Sequence, residues 1–372
     1  MAVKVKRLLR IMEELAPSRL ASEWDNTGLQ TGHPEKNIDR IMLTLDINGA
    51  VAEEAVQQDV QAIISHHPLI FKPLATLRSD SPVGAALSVL ISHDIALISA
   101  HTNLDAAAGG VNDTLAELLG LLELRVLQRT EAEALFKLIV FVPVDAVNAV
   151  REAVSDVGTG HIGRYSHCTF MTRGTGTFKP LEEAQPYLGE VGRLEEVDEY
   201  RLETIVPASS LDRVIAAMRK AHPYEEVAYD VFRLLQTGVE SGLGRYGRLP
   251  QEKRLDELAG EIQSLLGVEY LKIVGEAERI IKRVAVCGGG GGRLIERAAD
   301  RQADLLLTGD IKYHEAQQAE ALGLALIDAG HAATERPVVF RLRDSLQQRL
   351  SGEVEILISS VATDPIRLFW QR

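Results

Sequence analysis

Five side chains of metal-binding type stand at the ends of apolar runs in this chain. Adjacent His66 and His67 close the run 60–65 in IISHHPLIF. Asp105 follows the run 95–100 in HTNLDAAAGG, and His331 and Glu335 follow the run 324–328 in DAGHAATE. Imidazole and carboxylate together are the ligand set of a hydrolytic transition-metal site. Their shared place, just past buried-looking strands along one sheet edge, predicts a single pocket.

Spacing says how such a pocket would work. Neighbouring residues on a strand point to opposite faces, so His66 and His67 cannot both serve one ion from mid-strand. At a strand end the chain can turn, and Pro68 biases His67 towards extended backbone. Each imidazole can then hold one of two adjacent ions, with Asp105 as a bridging carboxylate. His331 and Glu335 are four apart, the interval that brings side chains together on a helix. Pro337 is tolerated only in a first turn, which predicts a helix starting near Ala333 with His331 just ahead of it. Three histidines and two carboxylates suit two divalent ions of the zinc, iron or manganese class. Coordination lowers the pKa of bound water to about 7, the basis of metal-dependent hydrolysis.

Other polar groups are candidates for proton transfer or for orienting the ligands: His101, one helical turn before Asp105, and Asp310 and His314 of TGDIKYHEA. Asp25 and Asn26, in SEWDNTGLQTG, are orienting candidates too. Taken singly, each reads equally well as a cap or turn former. The five glycines 288–292 follow the apolar run RVAVC and precede a helical pattern. Amides at such a place can cradle phosphate, but without a Lys-Ser/Thr the run reads as a tight strand-to-helix turn. His222, Tyr224, Glu225 and Glu226 cluster in AHPYEEVAYD, where a second metal or ligand site is conceivable, and read more simply as a polar turn between helix and strand. Cys168 and Cys287 are the only cysteines, which excludes a disulfide framework and a thiolate zinc cluster and suits a reducing cytosol.

The elements that must position these groups alternate. Runs at 41–46, 60–65 and 95–100 read as strands between helical patterns, and Asn112 or Asp113 can cap the helix that follows. The last third repeats this grammar, with strands at 283–287, 304–308, 324–328 and 354–359. Unbroken apolar strands between amphipathic helices indicate sheets covered on both faces. The middle differs. Strand, Val-Pro and helix occur twice, in FVPVDAVNAVREAV and IVPASSLDRVIAAM, a weak β-α-β repeat of ferredoxin-like type. RGTGTF reads as a loop within it. The fold class is therefore α/β: a discontinuous body of two similar halves, 1–127 and 241–372, interrupted by a ferredoxin-like α+β insert at 128–240.

The 372 residues carry 40 Lys plus Arg against 53 Asp plus Glu, a net charge of −13, and are 46% hydrophobic. An acidic surface disfavours nucleic acid as the main partner. The N-terminal apolar residues form a helix stripe broken by charges, not a signal peptide, and no window is apolar enough to span a bilayer. A cytoplasmic protein is expected.

The segments SEWDNTGLQTG, IISHHPLIF, HTNLDAAAGGVND, VAVCGGGGG, LLLTGDIKYHEAQ and IDAGHAATE run in order across both outer thirds. They resemble the Nif-three-like family, whose bacterial members carry the description GTP cyclohydrolase I type 2 homolog. The middle, through HPYEEVAYD, is similar to the insert of its longer members, akin to signalling and cation-tolerance proteins. The resemblance implies a dinuclear metal centre formed by His66, His67, Asp105, His331 and Glu335. It also implies a toroidal homohexamer capped by the inserts. The cysteine-containing zinc site of the type I cyclohydrolase has no counterpart in these residues. Two functions follow as expectations: a metal-dependent hydrolase of a nucleotide or phosphoester, or a non-catalytic metal-binding or regulatory assembly with the insert as its sensing module.

Overall fold

A computed structural model describes residues 3–367. The chain divides into two compact units, Met1–Glu131 with Ser241–Arg372 and, inserted between them, Ala132–Glu240. The strands Leu122–Pro143 and Tyr229–Arg254 carry the chain from one unit to the other.

Besides the short antiparallel pair of Val3–Lys4 and Asn37–Ile38, the first unit contains two larger sheets. In one, Glu355–Ile358, Arg40–Thr44, Ala62–Ser65 and Ala96–Ser99 run parallel, and Gly28–Thr31 closes the edge antiparallel. Its inner strands carry buried apolar runs, such as Ile41, Met42 and Leu43 or Ala62, Ile63 and Ile64, because both faces are covered. Ile41, Leu43, Ile64 and Ile98 face Val338, Leu342, Leu346 and Leu350 of the helix Pro337–Leu350. Met42, Ile63 and Leu97 face Val51, Ala55, Leu87 and Leu90 on the other side. Leu342, Leu346 and Leu350 recur every four residues and form one stripe. Burying each such leucine contributes about 1.5–3 kcal/mol.

The second sheet repeats the plan. Ile280–Gly290, Leu305–Gly309 and Ala325–Asp328 are parallel, with Lys272–Val274 antiparallel at the edge and Tyr229–Arg254 antiparallel on the other side. Val284, Val286, Leu305 and Leu307 pack on Leu255, Leu258 and Ile262. Ala285, Leu306 and Leu326 pack on Leu294, Ile295 and Ala298. The two halves are tied by an exchange: the last strand, Glu355–Ile358, pairs with Arg40–Thr44 of the first sheet. The predicted ligands therefore follow strands of two sheets, not the edge of one.

Three local expectations are also revised. The helix Val111–Leu118 is capped at Gly110, not at Asn112 or Asp113. Both side chains are recruited elsewhere: Asn112 bonds the Asp105 carbonyl and the Gly288 amide, and Asp113 bonds Arg245. Near Pro337 the chain forms two helices, His331–Glu335 and Pro337–Leu350. Proline opens the second, where its missing N–H costs nothing, so His331 starts the first helical turn rather than preceding a helix at Ala333.

In the second unit the order is strand, helix Val147–Asp156, strand Thr169–Phe178, strand Glu195–Pro207, helix Leu211–Ala221 and strand. RGTGTF is not a loop; it is the end of Thr169–Phe178, paired antiparallel with Glu195–Pro207. Thr and Gly alternate there with the period of a strand, and a Cβ on Gly176 would stand 2.2 Å from a Glu199 carboxylate oxygen. The core of this unit joins Leu138, Val140 and Val142 to Val150, Val154, Val214 and Met218. Among the described residues no helix is long and apolar enough to cross a membrane.

Candidate metal centre

Ligands bind outside the carboxyl ends of parallel strands, where loops are free to diverge. His66 and His67 lie just past Ala62–Ser65, and their amides continue the ladder to the Thr44 and Leu45 carbonyls at 3.2 and 2.9 Å. The Ser65 hydroxyl donates to the His67 carbonyl at 2.8 Å and helps shape the turn. The two rings thus converge, with centroids 4.8 Å apart. Past Ala96–Ser99, His101 caps the short helix Thr102–Ala106 that carries Asp105. From the second sheet come His331 and Glu335, on the turn after Ala325–Asp328.

Each of four histidines is held by its Nδ1–H. His66 donates to the Ala100 carbonyl at 2.8 Å, His67 to Asp46 at 2.7 Å, His101 to Asp25 at 2.9 Å and His331 to Asp310 at 2.7 Å. These partners accept only, so the Nδ1 proton is held and Nε2 is the nitrogen whose lone pair is offered once the ring is neutral, the arrangement that orients metal-binding imidazoles. Glu335 occupies the centre. Its Oε2 lies 3.7 Å from His66 Nε2, 3.2 Å from His67 Nε2 and 3.3 Å from His331 Nε2. Asp105 Oδ1 lies 3.6 Å from His66 Nε2. The central, shared position falls to Glu335 rather than Asp105, because Glu335 reaches in from the opposite sheet.

Three sets of side chains can converge on a cation: His66, His67 and His101; His67, His331 and Glu335; and His66, Asp105 and Glu335. His66 Nε2, Asp105 Oδ1 and Glu335 Oε2 are buried without a hydrogen-bond partner. Buried polar atoms are nearly always satisfied, and three such orphans in one place are the donor set of a cation site. Electrostatics agree. Burial disfavours the charged forms of His66 and His67, yet the carboxylates outweigh it and raise both, His67 to about 10. The Glu335 bond raises His331 to about 9. Burial and the nearby Glu335 charge raise Asp105 to about 6. For Glu335 burial is outweighed by the surrounding imidazoles, which hold it well below the carboxylate range.

The glycines 288–292 are explained by close packing. A Cβ on Gly289, which has φ +64°, would stand 2.2 Å from Glu335 Oε1 and 3.1 Å from His331 Nε2. One on Gly291 would stand 2.4 Å from Thr308 Oγ1. The amides of Gly288, Gly289 and Gly291 already donate to Asn112, Thr334 and Thr308. They are engaged inside the protein and do not form a phosphate cradle.

A cavity of about 670 Å³ opens onto the cluster. Trp24 and Phe71 form one wall, with ring centroids 5.6 Å apart, and Trp24 is 55% exposed. Arg293 and Lys312 line it as well. Of the other predicted groups, Asp25 accepts from His101 and from the amide and hydroxyl of Thr102, and despite its burial these bonds lower it to about 2. Asn26 instead bonds the Ile70 carbonyl. His314 stands apart, exposed on the helix Tyr313–Ala321 beside Gln317. Cys287 lines the cavity, but burial pushes its thiol up to about 12. The sequence reading misses Asp46, although it ends a strand as the histidines do. It also misses Trp24, Phe71, Arg293 and Lys312, which no spacing marks.

The family model described as Duf34/NIF3 (NGG1p interacting factor 3) matches residues 3–365. A Bacillus subtilis protein called GTP cyclohydrolase 1 type 2 homolog is 44% identical over 98% of each chain. A Halalkalibacterium halodurans protein of the same description is 41% identical over 96% of this chain and 97% of its own. The crystal structure of a Bacillus cereus protein related to NIF3 superposes with a TM-score of 0.93 at 42% identity, covering 99% of this chain and all of that one.

Proposed function

The chain belongs to the Duf34/NIF3 family, and we propose on that footing that it is a metal-dependent hydrolase of a nucleotide or phosphoester, built on two divalent ions. The observation that carries the reading is the convergence of His66 Nε2, Asp105 Oδ1 and Glu335 Oε2, buried and without partners. One ion is assigned to His66, Asp105 and Glu335, with His101 alongside, and the other to His67, His331 and Glu335. Bound divalent ions would supply Lewis acidity and lower the pKa of water to about 7.

The protein's own groups do the rest. Asp25, Asp46 and Asp310 hold three of the imidazoles in register. His101 borders both the cluster and the cavity and is the best-placed group to carry a proton to or from a substrate. Trp24 and Phe71 offer a stacking surface, and Arg293 and Lys312 offer charge for a phosphate. That combination favours a nucleotide among phosphoesters. On family grounds we extend the reading to a toroidal homohexamer.

The test uses purified full-length protein of defined metal content and a panel of nucleotides and phosphoesters. Turnover that tracks metal content and vanishes in His67→Ala is expected. Stoichiometric metal with no turnover across the panel would sink the hydrolase and leave a metal-binding protein.

A further inference from the structure

The unit Ala132–Glu240 holds a separate cavity of about 570 Å³. Part of its lining is the strand Thr169–Phe178, where Gly174 and Gly176 present no side chains. A Cβ on Gly176 would stand 2.2 Å from Glu199 Oε2, so glycine is what leaves room for that carboxylate. Glu199 is only 8% exposed. Among the described residues its carboxylate receives one hydrogen bond, from the Tyr224 hydroxyl at 3.0 Å. An ionised carboxylate has about four acceptor sites, and burying one with a single donor is costly.

Around it stand aromatic groups, a neutral histidine and paired arginines, with exposed Lys179 and the acidic Glu225 and Glu226 also on the cavity lining. Phe178 and Tyr187 flank Tyr224, with ring centroids 5.9 and 6.2 Å away. His222 Nε2–H donates to the Phe141 carbonyl while Nδ1 accepts from the Tyr224 amide, which defines a neutral ring. Burial lowers its pKa further. Arg173 is paired with Asp198 at 2.6 Å and Arg201 with Glu203 at 3.2 Å. The irregular segment 179–194 is tied to Glu225 through the Gln185 amide and to Asp145 through the Tyr187 hydroxyl. It leaves Tyr187, Leu188 and Val191 exposed at 48%, 36% and 50%. A buried, under-satisfied carboxylate beside aromatic faces is a recognition site for an organic cation. An anion would meet that carboxylate and be repelled.

We propose that this cavity binds a small organic cation with a flat or apolar body (an amine, amidine or guanidinium), its charge on Glu199 and its body against Phe178, Tyr187 and Tyr224. The experiment is titration calorimetry on the full chain with benzamidine, using benzoate as the isosteric anion. Saturable benzamidine binding is expected, with benzoate inert. Glu199→Gln keeps the shape and an acceptor for Tyr224 but removes the charge, and should weaken binding on the order of tenfold or more. Tyr187→Ala, at a half-exposed position, should weaken it several-fold, and it decides the matter if the Glu199 variant fails to fold. His67→Ala should leave binding unchanged. No saturation at millimolar benzamidine, equal binding of benzoate, or unchanged affinity in the folded variants would overturn the proposal.

Discussion

Glu335 is the residue on which the centre depends, since its Oε2 faces the Nε2 atoms of His66, His67 and His331. Glu335→Gln keeps the volume but removes the charge that offsets three imidazoles. Bound metal, measured by plasma mass spectrometry after dialysis, should fall by at least half, while the variant stays folded. Full retention of two ions would contradict the central role given to this carboxylate. Protons compete with metal at the same atoms. In the metal-free fold His67 titrates at about 10 and His331 at about 9, above the ordinary value of 6.5. Both are therefore protonated at neutral pH, and metal must displace those protons. Apparent affinity should rise from pH 6 towards pH 9, and calorimetry at pH 7 in buffers of different ionisation heat should register proton release. For stability of the metal-free protein the sign is opposite. Raised histidines contribute fully below the unfolded value and lose that contribution as pH climbs through about 9–10. The residue types of this centre are legible in the chain. The Nδ1 partners are less so, because Asp46 and Asp25 lie far in sequence from the histidines they hold.

At the scale of elements, strand ends aim the ligands and glycines let the backbone approach them. Gly289 has φ +64° and sits where a methyl would occupy the place of Glu335 Oε1. Gly289→Ala should abolish most metal binding while circular dichroism stays that of the wild type; undiminished metal content would refute the packing argument. The buried guanidinium of Arg245 on Tyr229–Arg254 bonds Asp113 of Val111–Leu118 and the carbonyls of Ala107, Gly242 and Gly244. Arg245→Ala leaves that carboxylate and three carbonyls short of donors, a loss of about 3–5 kcal/mol, readable as a shifted midpoint in urea. The apolar runs locate the parallel strands of the first unit well because both faces there are covered. Local pattern misleads where one residue serves two purposes. Pro337 forbids a continuous helix but equally well opens a second one, and the Thr-Gly alternation of RGTGTF suits an edge strand as well as a loop.

At the scale of the whole molecule, the family reading predicts six copies. Mass photometry or light scattering should give about six times the 40.7 kDa of one chain, and a monomer or dimer at micromolar concentration would refute the ring. The sequence by itself determines the α/β class, the apolar strands and the ligand types, because periodicity and side-chain chemistry are local properties. It also pairs His331 with Glu335, four residues apart on one helical turn. Only the tertiary structure decides that the ligands come from two sheets rather than one edge. It likewise decides that Glu335 rather than Asp105 is central, that His101 joins the cluster while His314 does not, and that Trp24, Phe71, Arg293 and Lys312 wall the cavity. Those outcomes depend on distances between segments far apart in the chain, which are set by how the sheets pack and by the exchange of Glu355–Ile358 into the first sheet. No local pattern encodes them.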